Sequence, residues 1–181
     1  RDFIEQKPTY QYYNVLNMKE IYVLRHAKSS WDNSNLNDFE RPLADKGIRD
    51  AKKMCNFLKD MNLKLDKVFC SQAIRAKETF DLTADGFNFE IDKATYTDKL
   101  YFGDTTNIIK DLKELDESLK NILIVGHNPT LHYLVELLTN KPIDRFTTCN
   151  LAIISHDGEW ISLNSQQCRL KSLIKPKELR N

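Results

Sequence analysis

The chain has 181 residues, 41% apolar and 29% charged, enough for one domain whose core needs no disulfide or metal to hold it, and a composition that excludes disorder. Its 27 basic and 26 acidic side chains leave a formal charge of +1, which excludes a whole-surface polyanion binder and offers nucleic acid no basic stripe, while leaving room for a local anion pocket. No apolar run exceeds four residues, so neither a membrane span nor a secretory signal core is expected.

Residues 1–17 stand apart, with Phe3, Tyr10, Tyr12 and Tyr13 in no clear period. They read either as an extension or leader ahead of Met18, which resembles a native start, or as an aromatic arm that docks on its own domain or on a neighbour. Residues 18–181 read as a single domain. The chain opens on Arg1, which leaves open a segment removed upstream.

From Met18 onward strands and helices alternate. Residues 21–24 form a short apolar run of strand formers. A polar loop follows over 27–41, long enough to be functional. Residues 45–61 place Ile48, Ala51, Met54, Cys55, Leu58 and Met61 on one helical face. A second strand is expected over 67–70 and a helix over 72–84, with Gly86 just beyond. A further helix is predicted from Thr105 to Glu117, with Ile108, Ile109, Leu112 and Leu115 inward. Residues 122–125 are the strongest strand. Pro129 starts a helix carrying Leu131, Leu134, Val135 and Leu138. The tail reads as strands over 151–154, 160–163 and 169–174, with a turn at Asp157-Gly158. Continuous apolar strands between amphipathic helices imply an α/β protein: a three-layer α/β/α sandwich with a mainly parallel sheet, and antiparallel edge strands in the C-terminal part. None of Cys55, Cys70, Cys149 and Cys168 sits in a C-x-x-C, so reduced, mostly buried thiols in a cytoplasmic protein are expected.

In such sheets ligands bind beyond the carboxyl ends of the strands. Three strands end in unusual polar sequence: the first in Arg25-His26, the second in Ser71 with Arg75 one turn later, and the strongest in Gly126-His127-Asn128-Pro129. Each alone is ordinary; together they bring two arginines and two histidines to one sheet edge. That set suits phosphoryl transfer through histidine. A neutral imidazole is a competent nucleophile near pH 7, and a carbonyl or carboxylate on its other nitrogen would fix the tautomer. Arginine forks match phosphoryl oxygens and stay charged. No Gly-rich phosphate loop and no carboxylate cluster is present, and neither metal nor cofactor is expected.

These residues carry a family resemblance. The run from Leu24 to Trp31, with Arg41-Pro42-Leu43 and Gly47 after it, resembles the histidine phosphatase superfamily (phosphoglycerate mutase-like), and most of all its small SixA-like phosphohistidine phosphatases. The segment from Ser71 to Thr79 is similar to the family's second-arginine segment, and that from Val125 to Leu131 to its second-histidine segment. Thr147-Thr148-Cys149 also fits, and the likeness spans about residues 19–175. The resemblance implies that His26 is the nucleophile, that Arg25 and Arg75 bind phosphate, and that His127 donates to a phosphoryl oxygen as imidazolium in the resting complex. Ser29 would add a hydrogen bond, or else serve only as a loop residue.

Many members supply an acid for the leaving oxygen, yet residues 98–106 lack the usual acidic signature. Asp104 is the nearest carboxylate and reads equally well as a helix N-cap. A P–N bond to imidazole breaks once the distal nitrogen is protonated, whereas an alkoxide must be given a proton. The expectation is therefore a metal-independent phosphatase for phosphohistidine on proteins, with a small-molecule phosphomonoesterase as the alternative in the same chemistry. A mutase, which needs an enclosed site, and a non-catalytic phosphate-binding adaptor rank lower. Trp31 and Phe39 either stack on substrate or pin the loop, and Lys28 either steers anions or decorates the surface. His132 and His156 lack metal spacing and are expected at the surface. The oligomeric state is open, with a monomer as the expectation.

Overall fold

A computed structural model describes residues 18–179. The expectations for residues 1–17 lie outside the described residues. Six strands form one sheet: β1 (Met18–Arg25), β2 (Lys67–Ser71), β3 (Thr95–Thr97), β4 (Asn121–Gly126), β5 (Leu151–Asp157) and β6 (Arg169–Ile174). Their order is β3-β2-β4-β1-β5-β6. The first four in that order run parallel; β5 is antiparallel to β1 and β6 antiparallel to β5.

Side chains alternate across the sheet with a period of two, so each strand feeds two cores. Tyr22, Leu24, Val68, Cys70, Leu123 and Val125 face α1 (Asp45–Met61) and α2 (Ile74–Thr83), meeting Met54, Leu58, Ala76 and Phe80. Ile21, Val23, Ile122, Ile124 and Ile154 face the other way. They meet α3 (Lys99–Phe102), α4 (Thr105–Lys113) and α5 (Thr130–Thr139) through Leu100, Ile108, Leu112, Leu131 and Leu134. This is the three-layer α/β/α sandwich with a mainly parallel sheet. Among the described residues no helix is long and apolar enough to cross a membrane. All four cysteines are buried and free, and burial raises the thiols of Cys70, Cys149 and Cys168.

The structure departs from expectation where local polar contacts outbid pattern. The helix expected to reach Glu117 stops at Lys113, because Asp116 turns back to take the Ser118 N–H at 2.8 Å, and Glu117 is drawn to Lys19 and to the Trp160 N–H, the latter at 2.6 Å. The strand expected over 160–163 is a 3₁₀ turn, Trp160–Ser162. Trp160 is wholly buried, its indole N–H bonded to the Leu119 carbonyl at 2.9 Å, which takes the segment off the sheet. β3 and α3 are too short for any period to reveal. His156 is buried rather than superficial: β5 lies inside the sheet, and the ring packs beside Trp160 with Nε2 2.9 Å from the Glu159 carbonyl. His132 is half-buried and within 3.2 Å of Glu136.

Two glycines set how closely α1 approaches its neighbours. A Cβ on Gly47 would stand 2.2 Å from the Lys28 carbonyl oxygen, and one on Gly86 would stand 2.5 Å from the Cys55 carbonyl oxygen. The Gly47 contact holds α1 against the chain two residues past His26, beside the 2.8 Å bond from the Ala44 N–H to the same Lys28 oxygen. Gly47→Ala is therefore expected to destabilise the fold by roughly 2 kcal/mol in urea unfolding, since the clash is with backbone and outweighs the gain in helix propensity.

Candidate active site

The carboxyl ends of β1, β4 and β2 lie side by side, with Arg25 opposite Gly126 in the parallel register and Cys70 opposite Val125. Each strand delivers its polar sequence there. The His26 N–H bonds to the Gly126 carbonyl at 3.0 Å, extending the ladder one residue and fixing His26 beside His127. The two rings lie 4.9 Å apart by centroid. Cys149 adopts a left-handed φ of 60°, and its N–H lies 3.1 Å from the carbonyl oxygens of both Arg25 and His26. The expected turn over 147–149 thus closes over the chain that carries the first two site residues.

Thr79, on α2, ties a third element in. Its hydroxyl donates to the Arg75 carbonyl at 2.6 Å and accepts the Ala27 N–H at 2.9 Å. Arg75 then projects over His26, with its Nε–H 3.4 Å from His26 Nε2. His26 Nδ1 lies 2.7 Å from the Ala27 carbonyl. A carbonyl only accepts, so Nδ1 carries the proton and Nε2 presents its lone pair. Arg25 donates through Nη1 to the Phe146 carbonyl at 2.8 Å, while its Nε is buried without a partner. His127 Nε2 is 2.8 Å from the Ser71 hydroxyl.

Burial and mutual charge set the titration of these groups. His26 is pushed down to about 4, chiefly by burial, against the upward pull of the Ala27 carbonyl; Arg75 and Arg25 then lower it further. His127 is pushed down to about 3 by burial, then by His26 and Arg75. Burial and the neighbouring Arg75 also lower Arg25. The free site therefore holds two neutral imidazoles at pH 7. The imidazolium expected at His127 has to come with a bound anion, whose charge would reverse the repulsion.

The structure thus brings Arg25, His26, Arg75 and His127 together. Ser29 is buried, but its hydroxyl accepts from Arg41 Nη2 at 2.8 Å and so supports Arg41. Asp104 is exposed and caps α4, accepting the Asn107 N–H at 2.9 Å. The carboxylate that reaches the site is Asp38, in the 3₁₀ turn Asp38–Glu40. It binds Arg75 Nη2 at 2.8 Å, Arg41 Nη1 at 2.9 Å and the Tyr101 hydroxyl at 2.6 Å. The Tyr101 bond, then Arg75 and Arg41, hold it down to about 2. Trp31 lies on the Arg41 guanidinium, 3.2 Å from ring centroid to Cζ, yet stays 72% exposed. Phe39 meets Tyr101 edge-on, and Tyr101 meets His127 the same way at 5.1 Å. Lys28 is exposed. Asp38 and Tyr101 carried no sequence signal beyond the nearness of Asp38 to Arg41-Pro42.

Comparison with known proteins agrees with this geometry. Residues 21–108 match the model of the histidine phosphatase superfamily (branch 1). An uncharacterized protein of Mycobacterium leprae is 30% identical over 166 residues, covering 85% of this chain and all of that one. The chain belongs to the histidine phosphatase superfamily. Within it, the phosphohistidine phosphatase SixA of Escherichia coli is 26% identical over 140 residues, covering 76% of this chain and 86% of its own. A solved structure of the protein histidine phosphatase SixA complexed with tungstate superposes with a TM-score of 0.78 at 26% identity, covering 89% of this chain and 99% of that one. The chain is a SixA-like member of the superfamily, and Asp38, Arg41 and Tyr101 add to the four residues read from its motifs.

Imidazole ¹⁵N NMR checks the charge state. Both His26 and His127 are expected to be neutral at pH 7 and to titrate below pH 5. Saturating inorganic phosphate should raise the His127 pKa; a free-state His127 that titrates near 6.5 contradicts the assignment.

Proposed function

We propose that this protein is a metal-independent phosphatase that works through a phosphoryl group on His26 and acts on phosphohistidine carried by proteins. The observation that carries the substrate class is the state of the site carboxylate. Asp38 is committed to three donors and ionised well below neutral pH, and Asp104 is spent on a helix cap. Neither is set to deliver a proton to an alkoxide. Phosphohistidine needs no such delivery, because its distal nitrogen takes a proton from solvent and the neutral imidazole then leaves.

The geometry supports the following steps. The Nε2 lone pair of His26 attacks phosphorus, and the P–N bond to the substrate's imidazole breaks with its electron pair going to that ring. Water then attacks the phosphoryl group on Nε2, releasing inorganic phosphate and restoring the lone pair. Arg25 and Arg75 hold the equatorial oxygens, and His127, protonated when the anion binds, donates to a third. Three guanidiniums against one carboxylate leave two net positive charges around the free site, and the proton that His127 takes up with the anion adds a third, enough to hold a phosphoryl dianion without a metal. Likeness to SixA, a phosphohistidine phosphatase, supports the same substrate. A small-molecule phosphomonoesterase is the second reading, favoured by nothing specific in the site.

A panel of a phosphohistidine protein, a phosphohistidine peptide and common phosphomonoesters decides. The protein and peptide should turn over fastest, with no effect of EDTA. High turnover of sugar phosphates with none of phosphohistidine would contradict the substrate, and strong EDTA inhibition the metal-free mechanism. His26→Ala should abolish activity, and Arg75→Lys should lower kcat by roughly 10²-fold, since a point charge cannot replace the fork.

A further inference from the structure

Asp38 does more than balance charge. A guanidinium offers two edges: an end-on edge made of Nη1 and Nη2, and a side-on edge made of Nε with the second hydrogen of Nη2. Asp38 takes the end-on edge of Arg75 with two different oxygens. Its carboxylate Oδ2 accepts from Nη2 at 2.8 Å, and its own backbone carbonyl accepts from Nη1. Two acceptors on one edge fix both the plane of the fork and its rotation. What remains is the side-on edge, and it faces the nucleophile, with Nε 3.4 Å from His26 Nε2.

Asp38 is itself held from three sides. Asn37 caps the short turn by accepting the Glu40 N–H at 3.1 Å, which sets the direction of the Asp38 carbonyl. Arg41, anchored through Nε to the Ser30 carbonyl at 2.9 Å, grips Oδ1. Tyr101, from α3 on the opposite wall, grips Oδ2 at 2.6 Å. The carboxylate thus joins the loop after β1, the helix after β2 and the helix after β3 at one point beside the nucleophile.

We propose that Asp38 is the positioning residue of the phosphoryl site, holding Arg75 end-on so that its side-on edge receives a phosphoryl group at His26. The proposal rests on the roles given above to His26 and Arg75. The opposite role is a carboxylate that competes with substrate for Arg75. The two differ in sign, because removing a competitor tightens anion binding and removing a positioner weakens it.

Tungstate titrated calorimetrically into the wild type, Asp38→Ala, Asp38→Asn, Arg75→Lys and the Asp38→Ala/Arg75→Lys double variant separates them, with circular dichroism confirming each fold. Asp38→Ala is expected to weaken tungstate binding roughly tenfold or more, and to lower kcat on a phosphohistidine peptide. Asp38→Asn should fall between, since its amide oxygen keeps one acceptor. Where Arg75 is already Lys, removing Asp38 should change little, because an ammonium has no fork to orient. Unchanged or tighter binding in Asp38→Ala overturns the proposal, as does an equal loss in the Arg75→Lys background. If Asp38→Ala fails to fold, Asp38→Asn, alone and combined with Arg75→Lys, carries the comparison: no loss in the single variant overturns the proposal, and a loss seen only with Arg75 present supports it. A wild type that binds no tungstate overturns the reading of the pocket and this proposal together.

Discussion

Like charges crowded at the end of a parallel sheet are the constraint on which the rest of this molecule depends. Arg25 and Arg75 come from different strand–helix units, yet both bear on His26, and Arg41 joins Arg75 through Asp38. Burial removes the water that would screen them, so Arg25 and Arg75 are both felt at His26 and at His127. The imidazoles stay neutral, chiefly because they are buried and further because the arginines repel a proton, which leaves His26 Nε2 with its lone pair. Asp38 answers with a negative charge that takes up part of the excess. A phosphoryl dianion would take up the remainder.

The fold serves that arrangement by tying backbone to backbone around it. The Gly126 and Ala27 carbonyls hold His26 from two directions, one in the sheet ladder and one at its own ring. Thr79 bonds the chain after His26 to the helix that carries Arg75. Gly47 lets α1 lie directly on the Lys28 backbone, and the Cys149 N–H closes the far side. None of these partners touches a substrate, but each fixes a group that would. An error of an ångström in such a constellation is costly to catalysis.

Legibility in the sequence followed physical cause. β1, β2 and β4 are buried on both faces and so appear as unbroken apolar runs, and the helices between them show a single apolar stripe; the order of layers follows from those two patterns alone. Arg25, His26, Arg75 and His127 were readable because each stands at a fixed offset from such a run. Asp38 was not, because a loop has no period and its partners are distant in sequence: Tyr101 lies 63 residues away. Trp160 misled for a related reason. Its neighbours look like strand formers, but the indole N–H needs an acceptor and finds one at Leu119, off the sheet. The His156 ring was misplaced because an inner strand buries polar residues that a tail strand would expose.

Every role proposed for the site depends on a covalent step at His26 Nε2. Mixing the protein with a phosphohistidine peptide, quenching at high pH within milliseconds and measuring the intact mass tests it directly. The expected result is a species one phosphoryl group heavier, mapped to His26, stable in base, lost in acid and absent from His26→Ala. Turnover of the peptide with no such species at any quench time, or the same species in His26→Ala, would contradict it.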